Sequence, residues 1–217
     1  EWDLKVDRQR LDSTHVYSDM ATFGRTRLMG VTIKRFLTQL KRHTPGAWEA
    51  LPEGFRERYG KSDMGLFGDV EKTPAGRRRL REEVAKDLLF LIERFAADAA
   101  VQQRQTYRDL VRVFAEQCEI VGGKTPVESG GPAEPTVKVK PKPGGDVIQN
   151  PSDPEATYDG HKGPGYQAQL AETCNEENEA QLITAVLPQT AVKADAPSTP
   201  AVVEALVETG CTPEVLL

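Results

Sequence analysis

The sequence predicts an α/β protein in which the first strand is followed by a large helical block before the sheet resumes. Three observations predict this. Residues 8–17 alternate in the manner of a strand, apolar residues recur at helical spacing between 19 and 121, and alternation returns in 151–217 beyond a segment dense in Gly and Pro.

The first strand places Leu11, Ser13 and His15 on one side and Asp12, Thr14 and Val16 on the other. Met29, Ile33, Phe36, Leu37 and Leu40 then predict a helix over about 20–43. Pro45 and Pro52 punctuate two short helical pieces anchored by Trp48 and Phe55. Thr73-Pro74 is a helix start, a hydroxyl cap followed by the residue best suited to the first helical position. The stripe Leu80, Val84, Leu88, Leu91 and Phe95 follows from it, and a last helix from about Thr106 carries Tyr107, Leu110, Phe114 and Cys118.

Residues 122–150 contain three Gly-Gly pairs and five prolines around the alternating Val137-Lys138-Val139-Lys140. That density of chain-breaking residues predicts a linker or extended arm. In 151–217, a strand over about 165–173 and a second through Leu182–Leu187 flank the turn residues Asn175-Glu176-Glu177-Asn178, which predicts a hairpin. Ser198-Thr199-Pro200 opens a helix closed by Gly210, and Glu214-Val215-Leu216-Leu217 begins a buried strand. The predicted divisions are therefore 1–18, 19–121, 122–150 and 151–217.

The composition is that of a globular chain: 38% hydrophobic, 28% charged and a net charge of −5. Through residue 122 there are 22 basic against 19 acidic residues (+3), and beyond it 6 against 14 (−8), so any basic face belongs to the first part. No run approaches the roughly 18 apolar residues of a membrane span, and the N-terminus lacks the pattern of a signal peptide. Cys118, Cys174 and Cys211 lie far apart without metal-ligand spacing, as expected of reduced thiols in a cytoplasmic protein.

Two segments carry chemistry. One is Arg10-Leu11-Asp12-Ser13-Thr14-His15-Val16-Tyr17; the other runs Asn150-Pro151-Ser152-Asp153-Pro154-Glu155-Ala156 and on through Gly163-Pro164-Gly165-Tyr166. With Leu110–Cys118 between them, and in this order, they resemble bacterial insertion-sequence transposases whose DDE catalytic domain is ribonuclease H-like. The resemblance implies a sheet of strand order 3-2-1-4-5 interrupted after its first strand by a helical insertion. It matches Asp12 to the first catalytic aspartate. The family's second aspartate follows a strand like Val215-Leu216-Leu217 and its glutamate sits on a later helix, so the resemblance implies an internal piece of such an enzyme.

The implied reaction is DNA transposition. Two Mg²⁺ ions (Mn²⁺ substituting), about 3.5–4 Å apart, would activate the attacking oxygen and stabilise the leaving one. Asp12 would be a ligand to both, and one carboxylate alone cannot hold them. The implied partners are transposon-end and target DNA, with a homo-oligomer assembled on it and no membrane. Arg25, Arg27, Lys34, Arg35, Lys41 and Arg42 are candidate phosphate contacts, which would position DNA without reading its sequence. His161 and Lys162, beside Asp159 in a Gly-rich loop, are candidates too, although plain loop chemistry accounts for them as well. Asp153 reads as a turn former, His15 and His43 as structural or solvated, and Arg77-Arg78-Arg79-Arg81 with Glu82-Glu83 as a solvated helix face. The alternative function is that of a non-catalytic nucleic-acid-binding or interaction protein on the same scaffold.

Overall fold

The computed structural model describes residues 4–18, 24–61, 73–121 and 136–217, which fall into two units: 1–20 with 155–217, and 21–154. The protein is a mixed α/β structure.

In the first unit, β1 (Arg8–Tyr17) alternates as its sequence predicts. Gln9, Leu11, Ser13 and His15 are buried or half-buried, whereas Arg10, Asp12, Thr14 and Val16 are exposed. A short strand β4 (Thr157–Asp159) pairs with the start of β5 (Gly163–Thr173). β5 lies antiparallel to β1 from Gln9↔Thr173 to Tyr17↔Gly165. Gly165 has a φ of +147°, and a Cβ there would lie 2.2 Å from the carbonyl oxygen of Val16, so the two backbones approach too closely for a side chain. β6 (Ile183–Thr190) pairs antiparallel with β5, completing the predicted hairpin, with a register shift at Ala171/Glu172.

On the other side of β1 runs β7 (Val215–Leu216), parallel to it. The Leu11 N–H donates to the Leu217 carbonyl and the Leu217 N–H to the Gln9 carbonyl, both at 2.9 Å. The long strands thus run β6-β5-β1-β7 across the sheet. Val215 and Leu217 are exposed, contrary to the expectation that this last strand is buried.

Helix α7 (Thr199–Glu208) packs Val202 and Leu206 on Leu11, Ala171, Ala185 and Leu187. It ends as its sequence predicts. Gly210 at φ +71° lets its own N–H reach the Val207 carbonyl and the Cys211 N–H reach the Leu206 carbonyl, so both terminal acceptors are satisfied.

The second unit holds α1 (Arg25–His43), α2 (Pro45–Glu49), α3 (Glu53–Gly60), α4 (Pro74–Phe95), α5 (Ala99–Gln102) and α6 (Gln105–Gln117). The first few residues of the helix expected over 20–43 lie outside the described residues. The predicted stripes meet in one core, where Phe36 of α1 stacks edge-on with Phe95 of α4 at 5.5 Å and lies 6.1 Å from Tyr107 of α6. The Thr73 hydroxyl accepts the Gly76 N–H at 3.0 Å, the cap that starts α4.

Two expectations for this unit are corrected by the fold. Cys118 does not continue α6. It opens β2 (Cys118–Val121), which pairs antiparallel with β3 (Thr136–Val139). The expected linker over 122–150 is correspondingly not a linker in its described part, 136–150: Val137, Val147 and Ile148 are buried, Val137 and Ile148 within the helical core. The physical reason is that Val137-Lys138-Val139 alternates as a strand and finds a partner in 118–121, which Gly and Pro on either side do not prevent. The Gly-Gly pairs at 122–123 and 130–131 lie outside the described residues.

Candidate functional site

Asp12 stands near the middle of β1, on the exposed face of the sheet, opposite Leu170 in register. Its Oδ1 accepts the Ser13 N–H at 2.7 Å. That N–H is the next backbone donor after Leu11 on the edge shared with β7, because donors on one edge of a strand come from alternate residues. One register step along the same face, Arg10 holds Glu172 in an ion pair of 3.0 Å. Glu172 is therefore engaged by a cation, leaving Asp12 as the carboxylate presented at the β1–β7 edge.

Metal binding by Asp12 would need company. Among the described residues, no three His, Cys, Asp or Glu side chains come together as a metal-binding group. These residues alone do not fit a two-ion site, since Mg²⁺ sheds water reluctantly and needs several oxygen ligands.

The opposite face of β1 carries a second polar cluster that sequence reasoning missed. Asp195, in the loop between β6 and α7, accepts hydrogen bonds from the buried amides of Gln169 (2.7 Å) and Gln167 and from the Ser13 side chain. The Gln169 hydrogen bond, with smaller help from Ser13, the Lys162 charge and Gln167, holds this carboxyl below the usual range against the opposing effect of desolvation. No local signal could have found it, because Asp195 lies in a loop far along the chain from the strands it serves. Beside this cluster both ring nitrogens of His15 are buried without a hydrogen-bond partner, with the ring edge toward Tyr17 at 6.5 Å.

His161 and Lys162 are exposed in the β4–β5 turn. Asp159 Oδ1 accepts both of their backbone N–H groups, at 2.8 and 2.7 Å, and these bonds, Lys162's first, lower the Asp159 pKa. Their side chains are left to the surface by a turn that is fully explained as a turn. Asp153 likewise closes one, its N–H bonded to the Asn150 carbonyl at 3.0 Å.

The six basic candidates of α1 divide. At about 100° per residue, Arg27, Lys34 and Lys41 recur every seven positions as one stripe, with Arg35 and Arg42 beside it. Lys34 donates to the Lys61 carbonyl, Arg35 to the Ser152 hydroxyl, and Lys41 lies 4.6 Å over the Trp48 ring. Arg25 projects the other way. Its guanidinium is tied to Gln117 through Oε1 (2.7 Å) and the carbonyl (3.0 Å).

The three cysteines are unpaired, and burial pushes the Cys118 thiol up to about 11, out of the reactive range. Among the described residues, no helix is long and apolar enough to cross a membrane. Compared with protein-family models, curated proteins and solved structures, the chain matches none.

Proposed function

We propose that this chain belongs to the catalytic region of a DNA transposase of the DDE type, built on a ribonuclease H-like sheet, with Asp12 as the first metal-binding carboxylate. The observation that carries the reading is the placement of Asp12. It stands on an inner strand of a sheet in which β6, β5, β1 and β7 are successive neighbours, antiparallel to β5 on one side and, at Arg8 and Gln9, parallel to β7 on the other. This order supports the 3-2-1-4 arrangement that such a sheet would have. The Leu217 carbonyl already accepts from Leu11, so backbone continuing in that direction would pass Asp12. A second carboxylate at that edge would share a metal ion with it. The reaction would be metal-dependent cleavage and rejoining of DNA ends, with Mg²⁺ as the cofactor and DNA as the partner.

In a polypeptide that joins this chain to the further carboxylates such a site needs, Asp12→Asn should abolish Mg²⁺-dependent nicking of plasmid DNA while DNA binding in EDTA persists. Nicking that survives the substitution overturns the reading. The 217-residue chain alone should nick nothing, because no three metal-ligating side chains come together among its described residues.

A second reading, nucleic-acid binding without catalysis, is favoured by the Arg27–Lys34–Lys41 stripe and by the lack, among the described residues, of a group of three metal-ligating side chains around Asp12. It predicts binding that is unchanged by Asp12→Asn, and no nicking by the 217-residue chain or by any longer polypeptide that contains it.

A further inference from the structure

Within the helical unit, a cleft of about 310 Å³ opens between the start of α1, the first turns of α4, and β3. Five cations line it: Arg25, Arg78, Arg81, Lys138 and Lys140. The lining has one carboxylate, Glu82, at a loose 3.9 Å from Arg78. Glu119 stands across the ladder from Lys138, yet the two form no ion pair. Sequence reasoning scattered these residues among a DNA-contact set, a solvated helix face and a linker. The fold brings them together because β3 pairs with β2 directly after α6 and lies against α4.

Positive charges crowded in this way repel one another. Burial, and then the neighbouring Arg81 charge, pull the Arg25 pKa below its ordinary value. Neither α1 nor α4 has an acidic residue in its first turn, so the positive ends of both helices add to the same field instead of being offset. Meanwhile the inner cations are held in place. Arg25 is anchored on Gln117, Arg81 Nε on the Thr26 hydroxyl at 3.3 Å, and Lys140 on the Ala115 carbonyl at 2.5 Å. Arg78 and Lys138 remain exposed at the mouth. A site of fixed donors, excess positive charge and an exposed cationic rim is what a phosphodiester demands.

We propose that the cleft lined by Arg25, Arg78, Arg81, Lys138 and Lys140 binds the phosphate backbone of duplex DNA. The choice of DNA over a small anion rests on the function proposed above; the phosphate chemistry does not. Such contacts carry no sequence information and would hold the duplex in register.

The test is fluorescence anisotropy of the protein with a labelled duplex of arbitrary sequence in EDTA, between about 50 and 200 mM salt. The double variant Arg78→Ala/Lys138→Ala should weaken binding and reduce the slope of log affinity against log salt by about one for each phosphate left without its cation. Lys86→Ala/Arg94→Ala, which removes equal charge from exposed positions farther along α4, should leave the slope nearly unchanged. Equal losses from both pairs, or no loss from the first, overturn the proposal. So does a cleft that binds pyrophosphate in calorimetry while duplex affinity is indifferent to Arg78 and Lys138. Circular dichroism checks the fold, and if the double variant loses helicity, Lys138→Gln alone carries the measurement. Because the assay is run in EDTA, its outcome is independent of Asp12. Cleft binding alongside Mg²⁺-dependent nicking that survives Asp12→Asn removes the catalytic reading and keeps the site, and Asp12-dependent nicking without cleft binding does the reverse.

Discussion

Truncating Asp195 leaves two buried amides, Gln167 and Gln169, without their acceptor. A buried donor left unsatisfied costs about 1–3 kcal/mol. Asp195 itself is exposed, so water can enter where it stood, and Asp195→Ala should lower stability by about 1 kcal/mol, at the low end of that range. Urea midpoints would read the change, and a loss above about 3 kcal/mol would mean that the loop does more than accept hydrogen bonds. The sign of the pH dependence follows from the lowered pKa. The contribution is present above the unfolded value of about 3.9 and is lost as pH falls through the lower folded value. Asp195→Asn should flatten that acid loss. Asp87 behaves oppositely. Burial raises its pKa although the Tyr59 hydroxyl and Arg58 both donate to it. The folded state then holds that proton more tightly, and stability rises as pH falls toward about 4. Asp87→Asn should remove this rise, and a rise that persists in the variant would assign it to another group.

At the scale of elements, Gly165 tests how β1 and β5 are joined. Its φ of +147° and the 2.2 Å approach of the Val16 carbonyl leave no room for a methyl group. Gly165→Ala should cost at least about 2 kcal/mol and speed hydrogen exchange at Ser18, whose N–H bonds to Pro164. Unchanged exchange there would mean that the strands absorb the clash elsewhere. Ile148→Ala asks whether 136–150 is core. Ile148 is fully buried, so the substitution should cost about 2–5 kcal/mol, against almost nothing in a linker. Thermal melts distinguish these outcomes directly. The contrast also explains what the sequence disclosed. The stripes of α1, α4 and α6 and the alternation of β1 were legible because each repeats over several turns or residue pairs, and Thr73 marked the start of α4 and Gly210 the end of α7. The β2–β3 ladder was not, because four-residue strands with Gly and Pro around them carry a local signal for loop, and only the long-range partner decides. The site divided likewise. The exposed placement of Asp12 was legible in the alternation of β1, whereas the Asp195 cluster and the cleft at Arg25 exist only through contacts distant in sequence.

For the whole molecule, the consequential feature is the edge of β1. β7 pairs only with Arg8 and Gln9 in register and reaches Leu11 through the Leu217 carbonyl. The Ser13 N–H turns to the Asp12 carboxylate, and His15 and Tyr17 have no ladder partner on that side among the described residues. Open backbone donors and acceptors on a strand edge recruit another strand, from water's side at little cost and from a second chain when concentration allows. The same sheet face exposes Val16 and Val186, at 49% and 55%, which adds apolar area to any such contact. The apolar core under this sheet is small, with Ala171, Ala185, Val202 and Leu206 as its fully packed members. Gains of a few kcal/mol at the edge therefore weigh heavily against a domain stability of about 5–15 kcal/mol. The 217-residue chain should accordingly self-associate, with a melting temperature that rises with protein concentration, as mass action requires. A polypeptide that supplies a longer parallel strand beside residues 12–17 should melt higher and lose that concentration dependence. Equilibrium sedimentation and thermal unfolding of both proteins at several concentrations measure it. A strictly monomeric 217-residue chain that melts as high as the extended one would mean that the β1 edge is satisfied without a further strand.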